Sequence, residues 1–133
     1  MTYFEQLGGE PVLRGIIDEF VDRIFADTMI GFFFQRANKE RTKRFEYEHA
    51  AAFLGAAIAY GGRDLREAHK KHPIMGGQFA RRRRILESTL EKHGVPADIR
   101  AAWLAHQDSL RDEVTADPEG ECVARPLDAK KAP

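Results

Sequence analysis

His69 closes the stretch Leu65-Arg66-Glu67-Ala68-His69 and is followed by His72, Pro73 and Ile74. A histidine at the end of a short helical turn can direct a neutral imidazole nitrogen at a metal, provided that a large apolar cavity lies in front of it. Pro73 limits the segment, because proline cannot continue a helix. A second histidine, His49, stands amid Ala50, Phe53 and Leu54. Two readings of His49 are open: a half-buried imidazole bonded to a backbone carbonyl, or a ligand presented to the same cavity. His69 and His72 are also three apart, a spacing used for zinc. No Cys or carboxylate stands beside them at ligand spacing, so a tetrahedral zinc site would need distant segments.

The elements that must position these residues read as helices. After a short amphipathic start ending at Leu7 and the break Gly8-Gly9, Pro11 suits the first turn of a helix. Val12, Leu13, Ile16, Ile17, Phe20, Val21, Ile24 and Phe25 then recur in pairs four residues apart and line one face. Asp27-Thr28 opens a bend. Ile30 to Phe34 places three consecutive aromatics in a stretch too short for an independent helix, and at least one must point inward. Asn38 to Arg44 reads as a loop or exposed first turn. From Phe45 to Ile58 a second helix is expected, with Phe45, Glu46, His49, Ala50 and Phe53 at helical spacing and Gly61-Gly62 ending it. A third runs from Gln78 to His93 and stops at Gly94 with Pro96 behind it. A last helix starts at Ala97-Asp98 with Ile99, Trp103, His106, Leu110 and Val114 on one side, and His106 reads as a core or surface histidine. Alternation at period two is absent, so an all-α fold follows.

With 133 residues the chain makes one domain, here residues 1–115, followed by a polar tail over 116–133. Its 21 basic and 21 acidic residues balance, which argues against a protein that works by neutralising phosphates. The run Arg81-Arg82-Arg83-Arg84 does not change this, since four successive helical residues point in four directions and form a solvated face. One of them can reach a carboxylate or a cofactor propionate. A single cysteine, Cys122, cannot form an internal disulfide and fits a reducing compartment. Neither a signal peptide nor a membrane span is visible, so the expected location is cytoplasmic, with no membrane and no nucleic-acid partner. Hydrolytic elbows, phosphate-binding glycine loops and the His-Glu-x-x-His zinc pair are missing.

Two helices each presenting one histidine to a space lined by Phe20, Phe34, Phe53, Leu54, Leu65, Ile74 and Phe79 would suit a haem. The macrocycle is a large flat hydrophobe with one open valence on each face. The order of marks is specific. Tyr3-Phe4 with Gly8-Gly9, Phe20 to Asp27, Gly31 to Phe34, Phe53-Leu54, Tyr60-Gly61-Gly62, Leu65 to His69, Ile74 and Phe79 together resemble the truncated haemoglobins, most closely their first group, over residues 3 to about 114.

The resemblance implies a shortened globin fold, in which two antiparallel helix pairs sandwich a b-type haem. It implies that His69 is the proximal iron ligand, that Phe34 wedges the haem at the corner, that Phe20 lies beside the distal site, and that Phe79 opens the next helix on the proximal side. Phe33, Phe45, Glu46, Leu54, Leu65, Ala68, His72 and Ile74 complete the expected haem surroundings. The distal side departs from the family pattern: Val21 stands where many members carry tyrosine, and Ala50 where they commonly carry glutamine. His49, four residues before Phe53, is the remaining group of suitable chemistry, as a donor to a bound ligand or as the sixth iron ligand.

The implied ligands are oxygen, nitric oxide and carbon monoxide. If His49 ligates the iron, oxygen transport gives way to electron transfer or nitric-oxide chemistry, because an external ligand must first displace an internal one. Nitric oxide dioxygenation is the side activity this would allow, with a reductase as partner and a monomer or weak dimer as the assembly. The rival classes are a non-haem helical metal-binding module and a helical partner-binding protein resting on the arginine run.

Overall fold

The computed structural model describes residues 1–58 and 76–111. The expectations for Leu65, Ala68, His69, His72, Ile74 and Cys122 lie outside the described residues.

Helix α1 (Tyr3–Leu7) begins with a reciprocal cap: the Thr2 hydroxyl accepts from the Glu5 N–H, and the Glu5 carboxylate accepts from the Thr2 N–H. After Gly8 and Gly9, α2 (Glu10–Ala26) carries Pro11 in its first turn and buries Leu13, Ile16, Ile17, Phe20, Val21 and Ile24. These are the stripe read from the sequence, except that Val12 is 40% exposed and Phe25 is only half-buried. Burying one such side chain contributes about 1.5–3 kcal/mol, so this face alone organises the core. Helix α2 packs against α1, α3 (Lys39–Leu54), α4 (Gly76–Lys92) and the 3-10 turn Gly31–Phe34, and α4 in turn packs against α5 (Ala97–Ser109). Every regular element among the described residues is helical, as expected.

A polar link ties α2 to α4. The Arg23 guanidinium donates to the hydroxyls of Thr89 and Ser88, while the fully buried Thr89 hydroxyl donates back to the Ile85 carbonyl. This satisfies a hydroxyl that would otherwise be costly to bury.

The corner after α2 is built by Asp27. Its carboxylate accepts from the N–H groups of Met29 (2.9 Å) and Ile30 (3.1 Å) and from the Arg81 guanidinium (2.7 and 3.0 Å). Gly31 then passes close to α2, where a Cβ would lie 2.7 Å from the Phe25 carbonyl oxygen. Of the three aromatics, Phe34 stacks on Phe25 and Phe33 stacks on Phe32, with Phe33 and Phe34 half-buried against the core. Phe32 is 53% exposed.

Three boundaries differ from the sequence reading. The stretch Asn38 to Arg44 is the cap and opening of α3, not a loop: the Asn38 side chain accepts from the Arg41 N–H at 2.9 Å, and Lys43 reaches Asp18 and Asp22 on α2. Helix α3 also ends earlier than Ile58, at Leu54. Gly55 takes a left-handed conformation (φ 104°) and donates to the carbonyls of Ala51 and Ala52, a geometry that favours glycine. A Cβ there would also strike the Thr2 side chain at 2.8 Å, so the end of α3 and the cap of α1 sit on each other. Gly76 and Gly77 lie inside the first turn of α4, not before it.

Candidate functional site

Glu46, His49, Ala50 and Phe53 recur at three- and four-residue spacing on α3, which sets them on one side of the helix. That side meets a narrow recess with about 10 Å³ of free space. Its apolar lining is Ile17 and Phe20 of α2, Ala50 of α3, Leu86 of α4 and Trp103 of α5; its polar lining is Glu46, His49, Arg82 and Gln107. That is room for about one water and far below the roughly 300–1,000 Å³ of small-molecule pockets, so the described residues alone do not enclose a macrocycle-sized space.

A bridge of polar groups crosses the recess. Arg82 donates from one terminal nitrogen to the Gln107 side-chain oxygen (2.6 Å) and from the other to the Glu46 carboxylate (2.9 Å). Its guanidinium carbon lies 4.9 Å from the centre of the Phe20 ring, within cation–π range. Beside this bridge the His106 ring stacks on Phe53 (centroids 4.1 Å apart, 10° between planes) and faces His49 at 5.5 Å. His106 therefore joins the α3 face instead of serving only as a core or surface residue.

Of the other expected surroundings, Val21 and Leu54 are buried in the core, Phe34 holds the corner against Phe25, and Phe33 lies against Phe32. Phe45 is half-buried under the guanidinium groups of Arg41 and Arg44. Phe79 is buried at the start of α4 with the Arg111 guanidinium 5.6 Å from its ring centre. The structure thus brings Phe20, Glu46, His49, Ala50 and Phe53 together, and does not bring Val21, Phe33, Phe34, Phe45, Leu54 or Phe79 to the same recess. Arg82, Gln107, Trp103 and Leu86 are lining residues that sequence reasoning did not assign to the site. A signal for Arg82 existed: it stands three residues after Phe79 and four before Leu86, on the buried stripe of α4.

The arginine run is resolved residue by residue. Arg81 pairs with Asp27 at the corner, Arg82 with Glu46 in the recess, Arg83 with Asp108 on α5 and Arg84 with Glu87 on its own helix. Four directions were expected; four carboxylates were not. The hydrogen bond from Arg81 holds the Asp27 carboxyl below the usual carboxylate range, and the Asp108 carboxylate raises the pKa of Arg83. Among the described residues, no cluster of three or more His, Cys, Asp or Glu could hold a metal ion by itself, and no helix is long and apolar enough to cross a membrane.

The sequence matches the bacterial-like globin family over residues 2–116. The chain belongs to that family. The globin is 31% identical over 102 residues to a group 1 truncated haemoglobin of Synechocystis sp., covering 74% of this chain and 82% of the relative. Its fold matches the Fe(III) form of the truncated haemoglobin of Tetrahymena pyriformis with a TM-score of 0.80 at 23% identity, over 86% of this chain and 98% of that one. A 2/2 haemoglobin of Synechococcus sp., described in the cyanomet state with covalently attached heme, matches with a TM-score of 0.81 at 20% identity over the same shares. The globin is thus an all-α truncated haemoglobin of the first group with the 2/2 fold.

Truncated globins bind haem and gaseous ligands, and haem b is the cofactor that membership implies. The chemistry of the recess fits that group. Phe20, Ala50, Leu86 and Trp103 offer apolar walls to a macrocycle, His49 an imidazole to a metal, and Arg82 a cation to a carboxylate or a polarised ligand.

Proposed function

We propose that this globin holds the iron of haem b through His69, binds diatomic ligands, and uses the α3 face carrying His49 as its distal side. The observation that carries the reading is the position of His49: it lines a recess whose other walls are mainly apolar, between Glu46 and Phe53. When bound, haem b supplies an iron with an open valence on each face of a flat hydrophobe.

What the chain contributes is surroundings. Phe20, Ala50 and Trp103 exclude water, which strengthens every polar interaction inside the recess. Val21 is buried in the core and Ala50 lines the recess, and neither side chain has a hydrogen to donate, so the polar work falls to the donors that line it, His49 and Arg82 with the Gln107 amide and the Trp103 indole N–H beside them. His49 is the distal residue in one of two modes: it takes the sixth iron position, or it donates its ring N–H to a bound ligand. In the first mode ligand entry is opposed by an internal competitor, which favours electron transfer or nitric-oxide chemistry, supported by a reductase, over oxygen carriage.

Spectroscopy separates the modes. Ferric and ferrous ultraviolet-visible spectra of the haem protein are recorded beside those of His49→Ala and His69→Ala. Low-spin spectra that become high-spin in His49→Ala support iron ligation by His49, whereas unchanged high-spin spectra refute it. A His69→Ala protein that keeps haem with the same axial ligand removes the proximal assignment.

A further inference from the structure

We infer that Arg82, positioned by Glu46 and Gln107, is the donor that selects among ligands on the distal side, favouring small anions and ligands that gain negative charge on binding. The inference rests on the reading of the recess as the haem's distal side and adds to it a residue and a ligand class.

Arg82 lies on the stripe of α4 that otherwise buries Phe79, Leu86 and Leu90, and its side chain is 22% exposed. A guanidinium there must face into the protein. It carries five N–H donors, of which the Glu46 carboxylate and the Gln107 oxygen take one each among the described residues. Among the described residues these are its hydrogen bonds, and the other three donors leave the group capacity to bind an anion. Gln107, 6% exposed, and the Phe20 ring fix the plane of the fork, so little freedom is lost when a further acceptor arrives. Charge is the second half of the argument. Among the described residues Glu46 is the one acid lining the recess, its side chain is 28% exposed, and it meets Arg82 through a single oxygen at 2.9 Å. The pair is therefore neutral as it stands, and an anion binding at Arg82 competes with Glu46 for the same cation. Glu46 and Arg82 should act with opposite signs on anion affinity, which neither a packing role nor a propionate anchor predicts.

The test uses the full-length haem protein, with the His49→Ala background added so that an internal imidazole cannot mask ligand entry. The Soret band after haem addition is read first; a wild-type protein with no Soret band overturns the haem reading itself. With the band present, fluoride is titrated against the ferric protein and the C–O stretching frequency is measured in the ferrous carbonyl. Arg82→Leu is expected to weaken fluoride binding by about tenfold to a hundredfold, the worth of a charge-assisted hydrogen bond, and to raise the C–O frequency. Arg82→Lys should fall between the two, and Glu46→Gln should tighten fluoride binding. Unchanged fluoride affinity and C–O frequency in Arg82→Leu with haem retained overturns the inference while leaving the haem reading intact. So does a variant that loses haem affinity without altering either quantity, since that marks a propionate anchor. If Arg82→Leu fails to fold, the opposed signs of Arg82→Lys and Glu46→Gln decide the matter.

Discussion

The inward face of α2 and the inward face of α3 lie against the same core, yet they obey different rules. On α2 the six buried positions are all apolar, and the one arginine linked to α4, Arg23, works at the margin through Thr89 and Ser88. On α3 the buried positions are Tyr47, Ala50, Ala51 and Leu54, but the half-buried flank beside them carries Glu46 and His49 next to Phe53, facing Arg82 and Gln107. A face that gives up apolar burial for charge and imidazole gives up stability unless something else is gained. The difference marks the flank of α3 as the place where the residues depart from what folding alone favours.

That contrast can be broken by mutation. Leu90→Ala, at a fully buried position of α4, should cost about 2–5 kcal/mol in urea unfolding, with or without haem. Gly31→Ala should cost about 1–3 kcal/mol by the same assay, because the new methyl meets a backbone carbonyl that cannot rotate away. A smaller effect is expected at the corner, and it depends on pH. The folded pKa of Asp27 is depressed below its unfolded value near 3.9, so its contribution is complete above about pH 4 and disappears as pH falls through the lower folded value. Asp27→Asn should therefore destabilise by about 1 kcal/mol near neutrality, and flatten the loss of unfolding midpoint on acidification. The smallest change in stability is expected in the recess: Glu46→Leu with Arg82→Leu should leave the haem-free protein within about 1 kcal/mol, since a hydrophobic pair often replaces an ion pair without loss. If that double variant unfolded as readily as Leu90→Ala, the recess would be ordinary core and the contrast would fail.

The all-helical architecture was legible because apolar spacing on α2 and α4 is regular, and because Gly94 and Pro96 mark a stop. The start of α3 was not, because Lys39 to Arg44 carries charge that resembles a loop; its helical character comes from the Asn38 cap and from ion pairs made across to α2. The end of α3 was misplaced because Ala56 and Ile58 continue an apolar texture past Gly55. Within the recess, His49 stood out by type and Phe20 by position. Arg82 did not, because its neighbours in sequence are identical to it and its partners Glu46 and Gln107 lie on other helices. Pairings between distant segments leave no local trace, so only the phase of Arg82 between Phe79 and Leu86 could have hinted at its direction.

The arginine run has a last consequence. Four identical side chains in succession contain no information about which way each should point; a slip by one residue would exchange one arginine for another. Their separate fates, at the corner, in the recess, on α5 and along α4, are assigned by the apolar residues Phe79, Ile85, Leu86 and Leu90 that set the rotation of the helix. The run is thus a natural positional scan. One substitution repeated at 81, 82, 83 and 84 holds chemistry constant and varies only angle, so any ligand-binding change confined to a single member measures what that direction contributes.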